Sequence, residues 1–179
     1  MEPATRLALD VRPEETADRA RVGEILTAAF GRDAEARLVE RLRGRVRPEI
    51  SLVAVGRLPA GAERIVGHVY FSPVRVGEAG RPAVALGPVS VDPDHQGRGA
   101  GRALCLRGLE TCREMDLPVV FVLGHPDYYR RLGFQPARPY GLYYRDARFD
   151  GAFFVAELVA GALGGLTGEV RYRPEFDEV

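Results

Sequence analysis

The run Val89-Ser90-Val91-Asp92-Pro93-Asp94-His95-Gln96-Gly97-Arg98-Gly99-Ala100-Gly101-Arg102 carries three glycines at alternate positions, where a β-type apolar segment gives way to a helical pattern. Glycines lack a Cβ, so the backbone there can come close to a ligand. Its N–H groups can converge at a helix N-terminus, where the helix dipole favours negative charge. That is the chemistry of a phosphate seat. The Gly-x-Gly-x-x-Gly dinucleotide template is not met, because its third glycine would fall on Arg102 counted from Gly97 and on Leu104 counted from Gly99. The chain contains no lysine, which excludes Schiff-base chemistry and the Walker A phosphate loop. It has no Gly-x-Ser-x-Gly elbow, so a serine hydrolase lacks its nucleophile. Asp92, Asp94 and His95 sit on one turn beside Pro93 and read as solvated turn residues, with no second cluster to complete a metal site.

A phosphate seat of this kind needs a strand before it and a helix after it. Ala83 to Val91 is an apolar strand interrupted by Gly87 and Pro88, and Gly99 to Glu114 is the longest helical pattern, with Leu104, Cys105, Leu109 and Cys112 in its core stripe. The two cysteines, seven apart, read as buried thiols on one side of that helix. Pro118 to Leu123 is a continuous apolar run, as in a strand buried on both faces, which implies a strand, helix, parallel strand unit. Upstream, Thr5 to Val11 reads as a strand, Pro13 to Thr16 open a helix that runs to about Phe30, a second helix covers about Ala34 to Arg43, and Ile50 to Val55 with Ile65 to Phe71 read as an antiparallel hairpin looped around Gly56, Pro59 and Gly61. Downstream come a short helix over Asp127 to Leu132, a strand from Phe134, another over Phe153 to Val159 and a tail strand over Glu169 to Arg173.

With 179 residues, 46% of them hydrophobic, the chain suits one compact core, so residues 1–179 are expected to form a single domain. No run approaches the ~20 apolar residues of a membrane span, and Met1 to Arg12 lacks a signal-peptide core, so a cytoplasmic protein without a membrane partner is expected. Zero formal net charge and dispersed arginines argue against a nucleic-acid partner.

The spacing of Gln96, Gly99 and Gly101 resembles the acetyl-CoA loop of the GNAT superfamily of N-acetyltransferases: Gln or Arg, two residues, Gly, one residue, Gly or Ala. Tyr129, four residues before Gly133-Phe134, resembles a second signature of that family. The segments around Glu35 to Arg43, Leu86 to Pro88 and Val170 to Tyr172 are similar to its YhbS-like branch. The resemblance implies an α/β fold whose mixed, mostly antiparallel sheet splays at the middle strands between flanking helices. It implies acetyl-CoA as cosubstrate, with the amides of Gly97, Arg98, Gly99, Ala100, Gly101 and Arg102 on the pyrophosphate and Gln96 shaping the loop. The Arg98 and Arg102 side chains would add charge. Backbone groups of Val89 and Val91 would pair with the pantetheine, Val89 N–H lying near the thioester oxygen, and Gly87-Pro88 fits a local bulge. Tyr129 takes the family's position for the acid that protonates the thiolate.

An alkylamine acceptor with a pKa of ~10.4 is neutral about once in a thousand molecules near pH 7.4, so its deprotonation costs about 4 kcal/mol and calls for a base. Several relatives place a glutamate on the strand before the loop, where this chain has Ala85. His68 is then the first candidate base, His125 the second and a water relay the third. The acceptor is a primary amine of a small molecule or peptide, bound in this family between the first two helices, here Phe30 to Glu35, and the late strands around Tyr140 to Asp150. Arg32, Asp33, Tyr143, Tyr144 and Arg145 are the polar residues available there. A non-catalytic acyl-CoA-binding regulatory module is the alternative, and transfer of a longer acyl chain a third reading. Strands at Phe153 to Val159 or in the tail could pair across a homodimer.

Overall fold

The structure, a computed structural model, describes residues 8–57 and 61–179. Its first strand, β1 (Leu9–Pro13), starts later than expected, and positions 5–7 of the expected strand lie outside the described residues, as does Pro59 of the hairpin loop. Helix α1 (Arg19–Phe30) ends where Gly31 adopts φ +69°, and α2 (Ala34–Leu42) buries Leu38, Val39 and Leu42 against the sheet. Strands β2 (Ile50–Arg57) and β3 (Glu63–Pro73) form the expected antiparallel hairpin. After the two-residue β4 (Arg75–Val76) come β5 (Ala83–Val91), α3 (Ala100–Glu114) and β6 (Val119–Leu123), with β5 and β6 parallel. The short helix α4 (Pro126–Arg130) leads to β7 (Gln135–Pro136), β8 (Leu142–Tyr143), β9 (Phe153–Glu157) and β10 (Gly168–Arg171).

Seven strands form the main sheet in the order β1-β2-β3-β5-β6-β9-β7, antiparallel except at β5–β6, and β4, β10 and β8 form a smaller second sheet. Helix α3 covers one face through Leu104, Cys105, Leu109 and Cys112, so both cysteines are buried, free and on one side of the helix as expected. Helices α1 and α2 cover the opposite face through Val22, Leu26, Leu38 and Leu42. This mixed sheet between flanking helices is the expected fold class.

The site depends on what happens halfway along β5. Register with β3 runs Val69↔Val89 and then Phe71↔Leu86, so Gly87 and Pro88 together face Tyr70 alone. This is the expected bulge, built where Pro88 has no N–H to give a ladder. Pairing of β5 with β6 stops at the same place, at Leu86↔Val122. Beyond it the two strands splay.

Two expectations need correction. Strand β9 lies between β6 and β7, and β10 between β4 and β8, so neither is the free edge that pairing across a dimer would use. Asp92 and His95 are buried rather than solvated, because α1 packs over their turn and brings Arg21 into an ion pair with Asp92.

Helix α3 approaches the sheet closely because Gly108 has no side chain: a Cβ there would stand 2.3 Å from the ring of Phe71, which is fully buried. Gly108→Ala gains up to ~1 kcal/mol of helix propensity. It must also push a packed ring aside, which costs about 1–3 kcal/mol. Urea denaturation is expected to show net destabilisation, and a neutral or stabilised variant would mean that α3 does not sit this close.

Candidate active site

The splay opens a cleft with two halves. One half, about 410 Å³, is lined by Val89, Val91, Gln96, Gly97, Gly99, Ala100, Gly101 and Arg102, with Ala29 and Phe30 of α1 opposite. Every residue expected to touch the cofactor lines it except Arg98. Gly97 and Gly99 adopt φ +73° and +95°, and a Cβ at either would meet no atom within 4 Å, so glycine is needed there for backbone conformation and not for room. Helix α3 starts at Ala100, and the first N–H groups of a helix have no partner within it, so those of Ala100, Gly101 and Arg102 are free to face this half.

The strand supplies the rest. Asp92 N–H donates to the Val66 carbonyl, which fixes the hydrogen-bonded positions of β5 toward β3 at Asp92 and Ser90. Alternation then turns the backbone groups of Val89 and Val91 the other way, into the splay. Gln96 Nε2 donates to the Val91 carbonyl at 3.2 Å and ties the loop back to the strand. Beneath the loop, Asp92 caps the Pro93–His95 turn by accepting from Asp94 N–H at 3.1 Å. Burial works to raise the Asp92 pKa, but that N–H and the Arg21 guanidinium outweigh it and hold the carboxyl below its usual range.

The other half, about 480 Å³, shares Phe30, Val89 and Tyr128 with the first and adds Glu35, Gly124, His125, Tyr129, Tyr144, Tyr172 and Phe176. The Tyr129 motif has a local physical origin. Gly133 at φ +90° turns the chain so that Phe134 N–H donates back to the Tyr129 carbonyl at 3.2 Å, and the Phe134 ring stands edge-on 5.7 Å from that of Tyr129. On its other side the Tyr129 ring packs on Gly124, where a Cβ would stand 2.4 Å away. Tyr129 is 7% exposed, and burial raises its pKa, so the hydroxyl keeps its proton.

His125 lines the second half of the cleft and His68 lines neither. His68 is fully buried under α1 and α2, with Nε2 2.9 Å from Ser51 Oγ and 3.9 Å from Glu14 Oε2, while Ser51 donates to Glu14 at 2.6 Å. Burial and the charge of Arg43, which is itself paired with Glu14, push the imidazole down to about 3. This geometry argues against His68 as a base for the cleft. Ala85 is fully buried on the face of the main sheet that packs against the second sheet, in one cluster with Val76, Leu142 and Val170, and of the polar residues expected near the acceptor only Tyr144 lines the cavity. The sequence reading had Glu35 only as the end of its acceptor segment, without naming it among the polar residues, and missed Gly124, Tyr172 and Phe176. Glu35 was detectable, since it shares with Leu38 and Leu42 the face of α2 that must be buried.

Residues 10–137 match the family model described as an acetyltransferase (GNAT) domain, and the chain belongs to that family. Among its relatives is the uncharacterized N-acetyltransferase YhbS of Escherichia coli K12, 34% identical over 168 residues that span 93% of this chain and 98% of the relative. The crystal structure of Escherichia coli YhbS in complex with CoA superposes with a TM-score of 0.86 at 35% identity, covering 99% of this chain and 95% of that one. A GNAT family acetyltransferase from Brucella melitensis in complex with acetyl-CoA superposes with a TM-score of 0.75 at 30% identity, covering 94% and 98%. The expected YhbS-like branch is borne out.

The buried imidazole has a consequence for stability. Unfolded His68 takes up a proton below about pH 6.5, whereas the folded residue resists it down to about 3. The unfolded state therefore binds more protons in this window, and His68 lowers stability as pH falls from 6.5 toward 3, by on the order of 1 kcal/mol per pH unit. Denaturation curves at pH 7, 6 and 5 are expected to show a shallower acid loss for His68→Gln than for the parent. Equal slopes would place a titrating, solvated histidine at this position.

Proposed function

We propose that the protein transfers an acetyl group from acetyl-CoA to a primary amine of a small molecule or peptide, by direct transfer in a ternary complex. The observation that carries this reading is the β5 edge left free beyond Leu86, which runs from the glycine turn past Tyr128 to the cavity holding Tyr129. Left-handed glycines, free first-turn amides and the outward backbone groups of Val89 and Val91 fit a pyrophosphate followed by an extended, amide-bearing arm. The CoA and acetyl-CoA complexes of two relatives support the same assignment. Arg102 adds its side-chain charge, whereas Arg98 contributes through its backbone.

Acetyl-CoA supplies the activated acyl carbon. The neutral amine nitrogen attacks that carbon, Val89 N–H stabilises the oxyanion, and the C–S bond breaks as Tyr129 gives its proton to the leaving sulfur. The proton lost by the amine leaves through His125 and water, since His125 lines the cleft and His68 does not. Residues 1–179 act as one domain, and two buried free thiols suit a reducing compartment such as the cytoplasm. A homodimer would have to form through a surface other than the β9 and β10 edges. Ala85, where several relatives carry glutamate, favours a second reading as a non-catalytic acyl-CoA-binding module.

Turnover separates the two readings. Tyr129→Phe is expected to lower free-thiol release from acetyl-CoA by roughly 10²–10⁴-fold, while the acetyl-CoA Kd by calorimetry stays within about twofold. An unchanged rate would remove Tyr129 from the mechanism. Acetyl-CoA binding by the parent with no thiol release for any amine would establish the binding module. In the parent, kcat/KM for an alkylamine should climb about tenfold per pH unit from 7 to 9 as the free amine fraction grows. Because burial keeps Tyr129 protonated, no falling limb is expected over that range. A maximum near pH 8 would contradict this assignment of the proton donor.

A further inference from the structure

Resting on the acetyltransferase reading, we infer that the acceptor is a primary amine on an aromatic or aliphatic body without a carboxylate, its ammonium recognised by Glu35. The acceptor half of the cleft, about 480 Å³, is the size of a small-molecule site. Its walls are rings: Tyr144 and Tyr172 lie with centroids 5.0 Å apart, and Phe176 stands edge-on to Tyr172 at 5.2 Å. Phe30, Leu123, Tyr128 and Val179 line it too, and they are four of the seven large apolar side chains exposed among the described residues. Exposed apolar surface gathered in one concavity marks a binding site.

Into this apolar space α2 places one carboxylate. Glu35 is the sole acidic side chain among the lining residues, and no arginine lines the cavity. Its side chain is 7% exposed, and its partner Arg32, 2.5 Å away, is 58% exposed and approaches from solvent. A pair so open on one side is weak, so an incoming ammonium can share or take over the carboxylate.

The same features count against other amines. A free amino acid would bring its carboxylate toward Glu35 and aromatic rings, in a cavity that no arginine lines. A peptide would press unpaired backbone carbonyls against aromatic walls. Aromatic faces, by contrast, attract an ammonium and pack against its hydrocarbon body.

The test compares phenethylamine with phenylalanine, which adds a carboxylate to the same body, and with a tripeptide bearing a free N-terminus, using thiol release with saturating acetyl-CoA. Phenethylamine is expected to exceed both in kcat/KM by roughly a hundredfold or more, and Glu35→Gln to raise its KM by about tenfold with the acetyl-CoA Kd unchanged. Calorimetry of phenethylamine against the parent saturated with CoA reads the same preference without a variant. Turnover of phenylalanine or the tripeptide at an equal or higher kcat/KM overturns the acceptor inference and leaves the acetyltransferase reading standing. So does a folded Glu35→Gln enzyme with unchanged KM. Acetyl-CoA binding without thiol release from any of the three overturns the acceptor inference, and the same result across a wide amine panel overturns the acetyltransferase reading as well.

Discussion

The parallel pairing of β5 with β6 ends at Leu86, and everything this protein can do at its cleft follows from that break. A sheet interior leaves no backbone group unpaired, because an unpaired buried group is costly. Here Gly87 and Pro88 insert an extra residue opposite Tyr70, the strand bends, and the edge from Val89 to Val91 is left without a neighbour. That edge is both an opportunity and a liability, since unpaired strand groups seek a partner. In the proposed function, an extended ligand with amides of its own would satisfy them, and the glycine turn at the end of the edge would take its anionic end.

The surrounding core keeps the break in place. Helix α3 is fixed against β3 by the contact of Gly108 with Phe71, and a Cβ at Gly67 would likewise stand 2.9 Å from Leu104. The helix N-terminus is thereby held at the end of β5, in line with the free edge. On the opposite face, Glu14, Arg43, Ser51 and His68 form a buried polar cluster under α1 and α2, which also carry Phe30 and Glu35 to the second half of the cleft. The helices that wall the second half of the cleft are thus seated on a polar network outside it.

How much of this was legible in the sequence depended on how local its cause was. The glycine turn and the bulge are set by the backbone limits of Gly87, Pro88, Gly97 and Gly99, which residue types made legible, whereas Tyr129 was singled out by its resemblance to a family signature whose turn at Gly133 the structure explains. The face on which His68 lies was not legible. From Val66 to Ser72 the β3 strand is buried on both faces, so alternation carries no signal, and packing by α1 and α2 decides it. The second sheet was hidden for a related reason. Strands β4, β8 and β10 are two to four residues long and are defined by partners distant in sequence. Glu35 was visible as a carboxylate on an apolar helix face, but its meaning depends on Tyr144, Tyr172 and Phe176, which only the fold brings beside it.

The central claim is that the free edge of β5 and the glycine turn together hold acetyl-CoA. Hydrogen exchange of the parent, read at individual amides with and without saturating acetyl-CoA, tests it most directly. The account predicts slowed exchange at Val89, Val91 and the amides from Gly97 to Arg102, with the β1–β2 ladder unchanged. Binding that leaves those amides as fast as in the free protein, or that protects a different segment, would contradict it.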